Sequence, residues 1–153
     1  MSKENEKFME IAIELALKAR QKDNEPFGAI LVYNGEIVMK NENEIHSLFD
    51  PTSHAELGLI SKFCRKNKVT DLRDYGLFTS CEPCAMCARA IIWSKLGKVV
   101  YSVSNDQLSQ ISGQTIDYSS ENIFVNARQR PVVIKNILNL EGLRVFEDYK
   151  FKS

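Results

Sequence analysis

Two short motifs constrain this chain most. They are His54-Ala-Glu56 and, one helix-and-strand unit later, Pro83-Cys84-Ala-Met-Cys87. Each opens a predicted helix, and together they supply three soft or borderline metal donors and one carboxylate. Cys84 and Cys87 are at helical spacing, so both thiols fall on one face, a turn apart. Pro83 suits the first turn of a helix. The positive end of the helix dipole there favours thiolate over thiol. One neutral imidazole and two thiolates offset the charge of Zn²⁺ and leave one tetrahedral position for water. An open position marks a catalytic zinc site, whereas a structural site is closed by four protein ligands.

Zinc can bring the pKa of a bound water to about 7, so zinc-activated water is the expected nucleophile. Glu56, two residues from His54, is placed to take the water proton and pass it on to a leaving group. Each half of the pattern alone has a plainer reading. A Cys-x-x-Cys pair also serves redox or structural zinc chemistry, and a His-x-Glu pair is common on helix surfaces. Their combination, each at a helix start, points to a hydrolytic zinc site. His46, the other histidine, lies before a turn with no second partner, which argues against a four-ligand structural site. Cys64 falls on the apolar face of its helix and reads as core. Cys81 has an odd spacing to Cys84, so its backbone is expected to matter more than its thiol.

With 153 residues and no linker, repeat or low-complexity tract, residues 1–153 read as one domain with a real core. No apolar run approaches the roughly 18 residues that a bilayer requires. The charged start, Met1-Ser-Lys-Glu-Asn-Glu-Lys7, lacks the order of a secretion signal, which makes the cytoplasm the expected location. Formal net charge is zero, which lowers the expectation of a large polyanionic partner. The cysteines are too few and too clustered for a secreted disulfide framework.

Apolar residues from Phe8 to Ala19 recur at helical spacing, which predicts an amphipathic helix to about Gln21. Asn34-Gly35 between two apolar runs predicts a β-hairpin. Asp50-Pro-Thr-Ser53 reads as a turn with a helix cap, followed by a helix burying Ala55, Leu59, Ile60 and Phe63. Strands are expected at 76–79, 99–103 and 131–134, and a last helix from Leu140 to Tyr149. Residues from about Gln107 to Arg130 read as mostly loop with a short helix. This order predicts an α/β fold, a three-layer α/β/α sandwich around a mixed sheet of about five strands.

Four segments in order, Pro26-Phe-Gly-Ala-Ile30, Asn43, Asp50-Pro-Thr-Ser-His-Ala-Glu56 and Thr79-Ser-Cys-Glu-Pro-Cys-Ala-Met-Cys87, give the chain a wider likeness. From about Phe8 to Ser104 it resembles the cytidine deaminase superfamily, whose nucleobase-directed zinc enzymes share this histidine, glutamate and cysteine pattern. Within it, the chain most resembles bacterial guanine deaminases. They share Pro-Phe-Gly-Ala, Ser-Cys-Glu-Pro-Cys and a tryptophan at Trp93, where tRNA adenosine deaminases usually carry Pro-Val-Gly, Leu-Glu-Pro-Cys and histidine. The resemblance implies that His54, Cys84 and Cys87 hold zinc and that Glu56 shuttles protons. It implies that Asn43 hydrogen-bonds the base, that Ala55 offers a backbone contact, and that Phe27 and Trp93 shape the pocket. Core packing for the two aromatics, and a strand-end turn for Asn43, are the plainer readings.

The implied reaction is hydrolysis of guanine to xanthine and ammonia, within purine-base metabolism. The implied assembly is a homodimer, with an exchanged C-terminal segment as one form of it. Alternatives are a tRNA adenosine-to-inosine deaminase, a cytosine or nucleoside deaminase, and a non-catalytic zinc-stabilised binding module. The last third departs from the guanine branch. Asp106 and Asp117 stand loosely where that branch has acidic stretches, and the tail reads Phe151-Lys-Ser153 in place of an aromatic terminus. Phe146-Glu-Asp148 is similar to the tail of fungal cytosine deaminases, where an aspartate meets the base. That likeness makes Asp148 a further candidate contact, against the plainer reading of a solvated helix end.

Overall fold

The computed structural model describes residues 3–113 and 119–151. Helix α1, Lys3–Gln21, buries Phe8, Met9, Ala12, Ile13, Leu15, Ala16 and Ala19, the stripe that the spacing predicts. Strands β1, Gly28–Tyr33, and β2, Glu36–Glu42, pair antiparallel around a two-residue turn. Asn34 and Gly35 both have positive φ, at 50° and 75°. That is what a type I′ hairpin requires, and it explains the Asn-Gly pair. The four-residue helix α2, Ile45–Leu48, follows. Helix α3, Ala55–Asn67, buries Ala55, Leu59, Ile60 and Phe63 as expected, and Glu56 with them.

Strand β3, Tyr75–Cys81, leads to α4, Ala85–Ser94, and then to β4, Lys98–Val103. Helix α5 spans Asn105–Ser112, α6 Ser120–Phe124, β5 Val132–Ile134 and α7 Asn139–Arg144. The sheet order is β2-β1-β3-β4-β5. β1 is antiparallel to both neighbours, while β3, β4 and β5 run parallel. The mixed five-stranded sheet is the one predicted.

Side-chain alternation divides the core in two. Ile30, Val32, Phe78 and Val100 face α1, Val145 and Phe146. Ala29, Leu31, Leu77 and Val99 face α3 and α4, with Phe124 of α6. Helices therefore cover both faces, as the three-layer reading requires. In open α/β sheets the crevice beyond the C-terminal ends of parallel strands is the usual ligand site. Here β3 ends at Cys81 and β4 at Val103, paired side by side.

Two local expectations need correction. The stretch from Gln107 to Arg130 holds two helices instead of one. α5 is announced by a capping box in which Ser104 Oγ accepts from Gln107 N–H and Gln107 Oε1 accepts from Ser104 N–H. Ser104-x-x-Gln107 is a sequence signature for that arrangement. The last helix stops at Arg144. From Val145 to Tyr149 the chain tightens into turns bonded three residues back, and Asp148 has a positive φ of 56°. His54 is the N-cap of α3, at the helix start where its motif was expected.

Candidate active site

His54 is the N-cap of α3 and Cys84 the N-cap of α4. Both residues are extended, with φ near −70°, and neither side chain caps its own helix. The imidazole and the thiol are thus free to meet each other. Asp50 accepts from Thr52 N–H and from the Thr52 and Ser53 hydroxyls, fixing the turn that delivers His54. Asn41 adds support that the sequence does not announce. Its amide donates to Ala55 C=O at 2.9 Å and accepts from Lys62 Nζ at 3.0 Å.

Cys84 Sγ lies 3.4 Å and Cys87 Sγ 3.6 Å from His54 Nδ1. Zinc–sulfur bonds of about 2.3 Å and zinc–nitrogen bonds of about 2.05 Å at the tetrahedral angle separate N and S by about 3.6 Å. The two N–S separations therefore match edges of a zinc tetrahedron. The three donors also form the one group of three or more possible metal donors among the described residues. A hydrogen bond from Cys87 holds the Cys84 thiol low, at about 4, against the effect of burial. Cys87 is pushed up by the same contact and by burial. The hydrogen bond to Cys84 raises His54. Metal binding needs both sulfurs as thiolates, so it works against the raised Cys87 thiol and releases its proton.

Glu56 is 6% exposed. Burial first, then the charge of Cys84, raises its carboxyl to about 7. His54 and the Thr79 hydroxyl pull the other way. A carboxyl poised there can both accept and return a proton near neutral pH.

These groups open into a cavity of about 380 Å³. His54, Glu56 and Cys84 form its floor, and Phe27 lines it as the sequence expects. The sequence reading missed three further parts of the wall: Glu25, Glu82 and one face of α5. Phe151 is a fourth, and its ring packs 6.4 Å from Phe27 and 6.0 Å from Phe146. The described C-terminal residues to Phe151 pack against this chain's own core, through buried Val145 and Phe146.

Other expected contacts lie elsewhere. Asn43 is buried, but its Oδ1 accepts from Ile45 N–H at 3.0 Å and it does not line the cavity. Ala55 is buried beneath the site, with its carbonyl taken by Asn41. Trp93 is 80% exposed and lines no part of the cavity. α4 turns Cys87, Ala88, Ile91 and Ser94 inward, and position 93 falls off that stripe. Asp148 is exposed and away from the cavity wall, and Asp117 lies outside the described residues. Asp106 also lies outside the lining, whereas its neighbour Asn105 belongs to it.

Glu82 is the best-anchored carboxylate. Burial opposes its charge, but hydrogen bonds from Ser120, Asn105 and Ser119 outweigh burial and keep its pKa below the ordinary value. Nothing local in the sequence reveals those partners.

Residues 2–103 match the family model described as the cytidine and deoxycytidylate deaminase zinc-binding region. The chain is 31% identical over 147 residues to a guanine deaminase of Bacillus subtilis (strain 168), covering 95% of this chain and 94% of that protein. It is 39% identical over 97 residues to a tRNA-specific adenosine deaminase of Aquifex aeolicus (strain VF5), covering 63% of this chain and 64% of that protein. The match with the Aquifex protein thus spans just under two thirds of its length. Among solved structures, NE0047 in complex with 2,6-diaminopurine superposes with a TM-score of 0.85 at 25% identity, covering 95% of this chain and 80% of the other. No described helix is long and apolar enough to cross a membrane.

Proposed function

Because the chain belongs to the cytidine and deoxycytidylate deaminase family and carries its zinc-binding region, we propose that it hydrolyses a free aminated nucleobase, guanine first. Guanine and water would give xanthine and ammonia. The observation that carries the reading is the charge of the cavity wall. Glu25, Glu56 and Glu82 line it, and among the described residues no lysine or arginine does. Such a wall complements the N–H donors of an aminated ring and disfavours a phosphate. The Phe27 and Phe151 rings supply apolar surface for a flat heterocycle. The guanine deaminase relative also aligns through the last third of the chain.

Zinc, when bound, supplies the Lewis acidity that makes water a nucleophile near neutral pH. His54, Cys84 and Cys87 would hold it. Glu56 would take one proton from the attacking water and hand it to a ring nitrogen. It would then take the second from the hydroxyl now on the ring carbon and give it to the amine, which leaves as ammonia as the carbon–nitrogen bond breaks. The buried carboxyl keeps that proton from exchanging freely with solvent. The reading includes a homodimer, which a solution mass would test.

Ammonia release is to be measured from zinc-loaded protein with guanine, cytosine, adenine and their nucleosides. Turnover of guanine above the others is expected, and silence on every free base would overturn the reading. A second reading, adenosine-to-inosine editing of tRNA, is favoured by the 39% identity to the Aquifex protein. Inosine formed in a transcribed anticodon stem-loop, with no free base turned over, would select it.

A further inference from the structure

One buried carboxylate anchors the start of a helix that lines the cavity. Helix α5 contributes Asn105, Leu108, Ser109 and Ser112 to that wall. These positions follow the i, i+3, i+4, i+7 rule, so they form a single helix face. In an ordinary surface helix that face would be buried in the core. Here it faces the cavity, and α5 has no fully buried residue. Leu108 packs against the core, and Gln107 exchanges hydrogen bonds with Asn139 of α7, at 3.0 and 2.9 Å.

The start of α5 is held separately, by a carboxylate from the end of β3. Glu82, 7% exposed, lies at the end of β3, between Cys81 and Pro83, and its own N–H donates to Val103 C=O at 2.8 Å. Glu82 Oε1 accepts from Asn105 N–H, the first residue of α5, at 2.8 Å. Its Oε2 accepts from Ser119 Oγ at 2.8 Å, Ser120 N–H at 2.9 Å and Ser120 Oγ at 2.6 Å. The carboxylate thus ties the starts of α5 and α6 to the loop that carries Cys84. Charge-assisted bonds of this kind are about twice as strong as neutral ones.

We propose that Glu82 is a positioning residue that sets the α5 wall of the cavity and thereby governs substrate affinity, without taking part in zinc binding or proton transfer. The affinity clause rests on the free-base reading above. An amide cannot replace this carboxylate. The two backbone N–H donors, from Asn105 and Ser120, fall on different oxygens. Glutamine has only one acceptor oxygen, so one N–H would face an NH₂ group whichever way the amide turned.

The test compares wild type, Glu82→Gln and Ser120→Ala, each with its zinc content measured. With guanine as probe, Glu82→Gln is expected to raise KM at least tenfold while kcat per bound zinc changes less than threefold. Ser120→Ala removes one hydroxyl donor and keeps the backbone donor, so a smaller rise in KM is expected. Amide hydrogen exchange should accelerate across Asn105–Ser112 in Glu82→Gln and remain unchanged in α1. An unchanged KM at full zinc content in both variants would overturn the proposal. So would unchanged exchange across α5. If Glu82→Gln fails to fold, Ser120→Ala decides: a raised KM at full zinc supports the role, and zinc loss without a KM shift overturns it. If wild type turns over no base, the substrate reading fails separately, and the exchange comparison alone decides whether Glu82 holds α5.

Discussion

Cys84 Sγ sits 3.4 Å from His54 Nδ1, across 30 positions of sequence. Each residue is the N-cap of its own helix, so two helix starts meet at one point beyond the sheet. This places both positive helix ends beside the thiolates. Cys87→Ala should therefore lower zinc affinity by well over the tenfold seen for outer-shell partners, and activity should fall with it. Metal analysis after dialysis against a competing chelator checks this. Full zinc retention by the variant would contradict the ligand assignment.

Glu56 is within the cavity but outside the metal-donor group. Glu56→Gln keeps its volume and removes its basicity. Turnover should fall by about 10²–10⁴, the usual contribution of a positioned general base, while zinc content and fold remain. Equal losses of zinc and turnover would instead give Glu56 a structural role.

The metal centre is legible in the sequence because its parts are local. His54 and Glu56 are two residues apart, Cys84 and Cys87 one turn apart, and each pair opens a helix. The fold is legible for a related reason, since α1, the Asn34-Gly35 hairpin and the parallel strands are all set by short-range periodicity. The cavity wall is not local. Glu82 meets Ser120 across 38 positions, and Phe151 reaches Phe27 from the far end of the chain. No spacing rule encodes either contact. Trp93 shows the opposite failure. Its place in a motif suggests a pocket, but the register of α4 turns it outward. α5 lies between these cases, since Ser104-x-x-Gln107 announces its start and only the tertiary fold reveals that its inner face lines a cavity.

The raised carboxyl of Glu56 predicts how the metal-free protein responds to pH. Its folded value, about 7, exceeds the ordinary 4.5. Its contribution to stability is therefore fully present below the ordinary value and is lost as pH rises through the folded one. The loss is about 3 kcal/mol. Chelated Glu56→Gln should thus be more stable than chelated wild type near about pH 8, and the advantage should shrink toward about pH 5. Denaturant midpoints of the two proteins at both values check the sign. A constant difference would mean that Glu56 is not the group responsible.

Gly28 begins β1 where α1 crosses it. A Cβ there would lie 2.4 Å from Ala12 O, 2.6 Å from Ala16 N and 2.6 Å from Leu15 Cβ. Two of those atoms belong to helix backbone and cannot swing away. Gly28 N–H also donates to Ser80 Oγ at 3.1 Å, so moving the strand would disturb the end of β3. Gly28→Ala should cost about 1–3 kcal/mol or more, the range for overpacking. Thermal melting of zinc-loaded protein checks it, and an unchanged midpoint would mean that α1 can shift outward freely.

Phe151 stands at the cavity edge, its ring 5.0 Å from Tyr149 and 6.0 Å from Phe146. Phe27 is tied to the same cluster, 6.0 Å from Phe146. Removing Phe151 therefore opens the cavity while leaving Phe27 supported from behind. A stacked aromatic contributes about 1–3 kcal/mol per base in single-stranded recognition. On that scale Phe151→Ala should raise KM roughly tenfold, at the lower end because the ring is only half-buried. Phe151→Leu, which keeps apolar surface but loses the flat face, should fall between Phe151→Ala and wild type. Zinc content should be unchanged in both, because Phe151 has no contact with His54, Cys84 or Cys87 among those described. Steady-state kinetics on guanine separate the outcomes. If Phe151→Ala matched wild type in KM, the ring would be a packing element of the C-terminal turn and not part of the substrate surface.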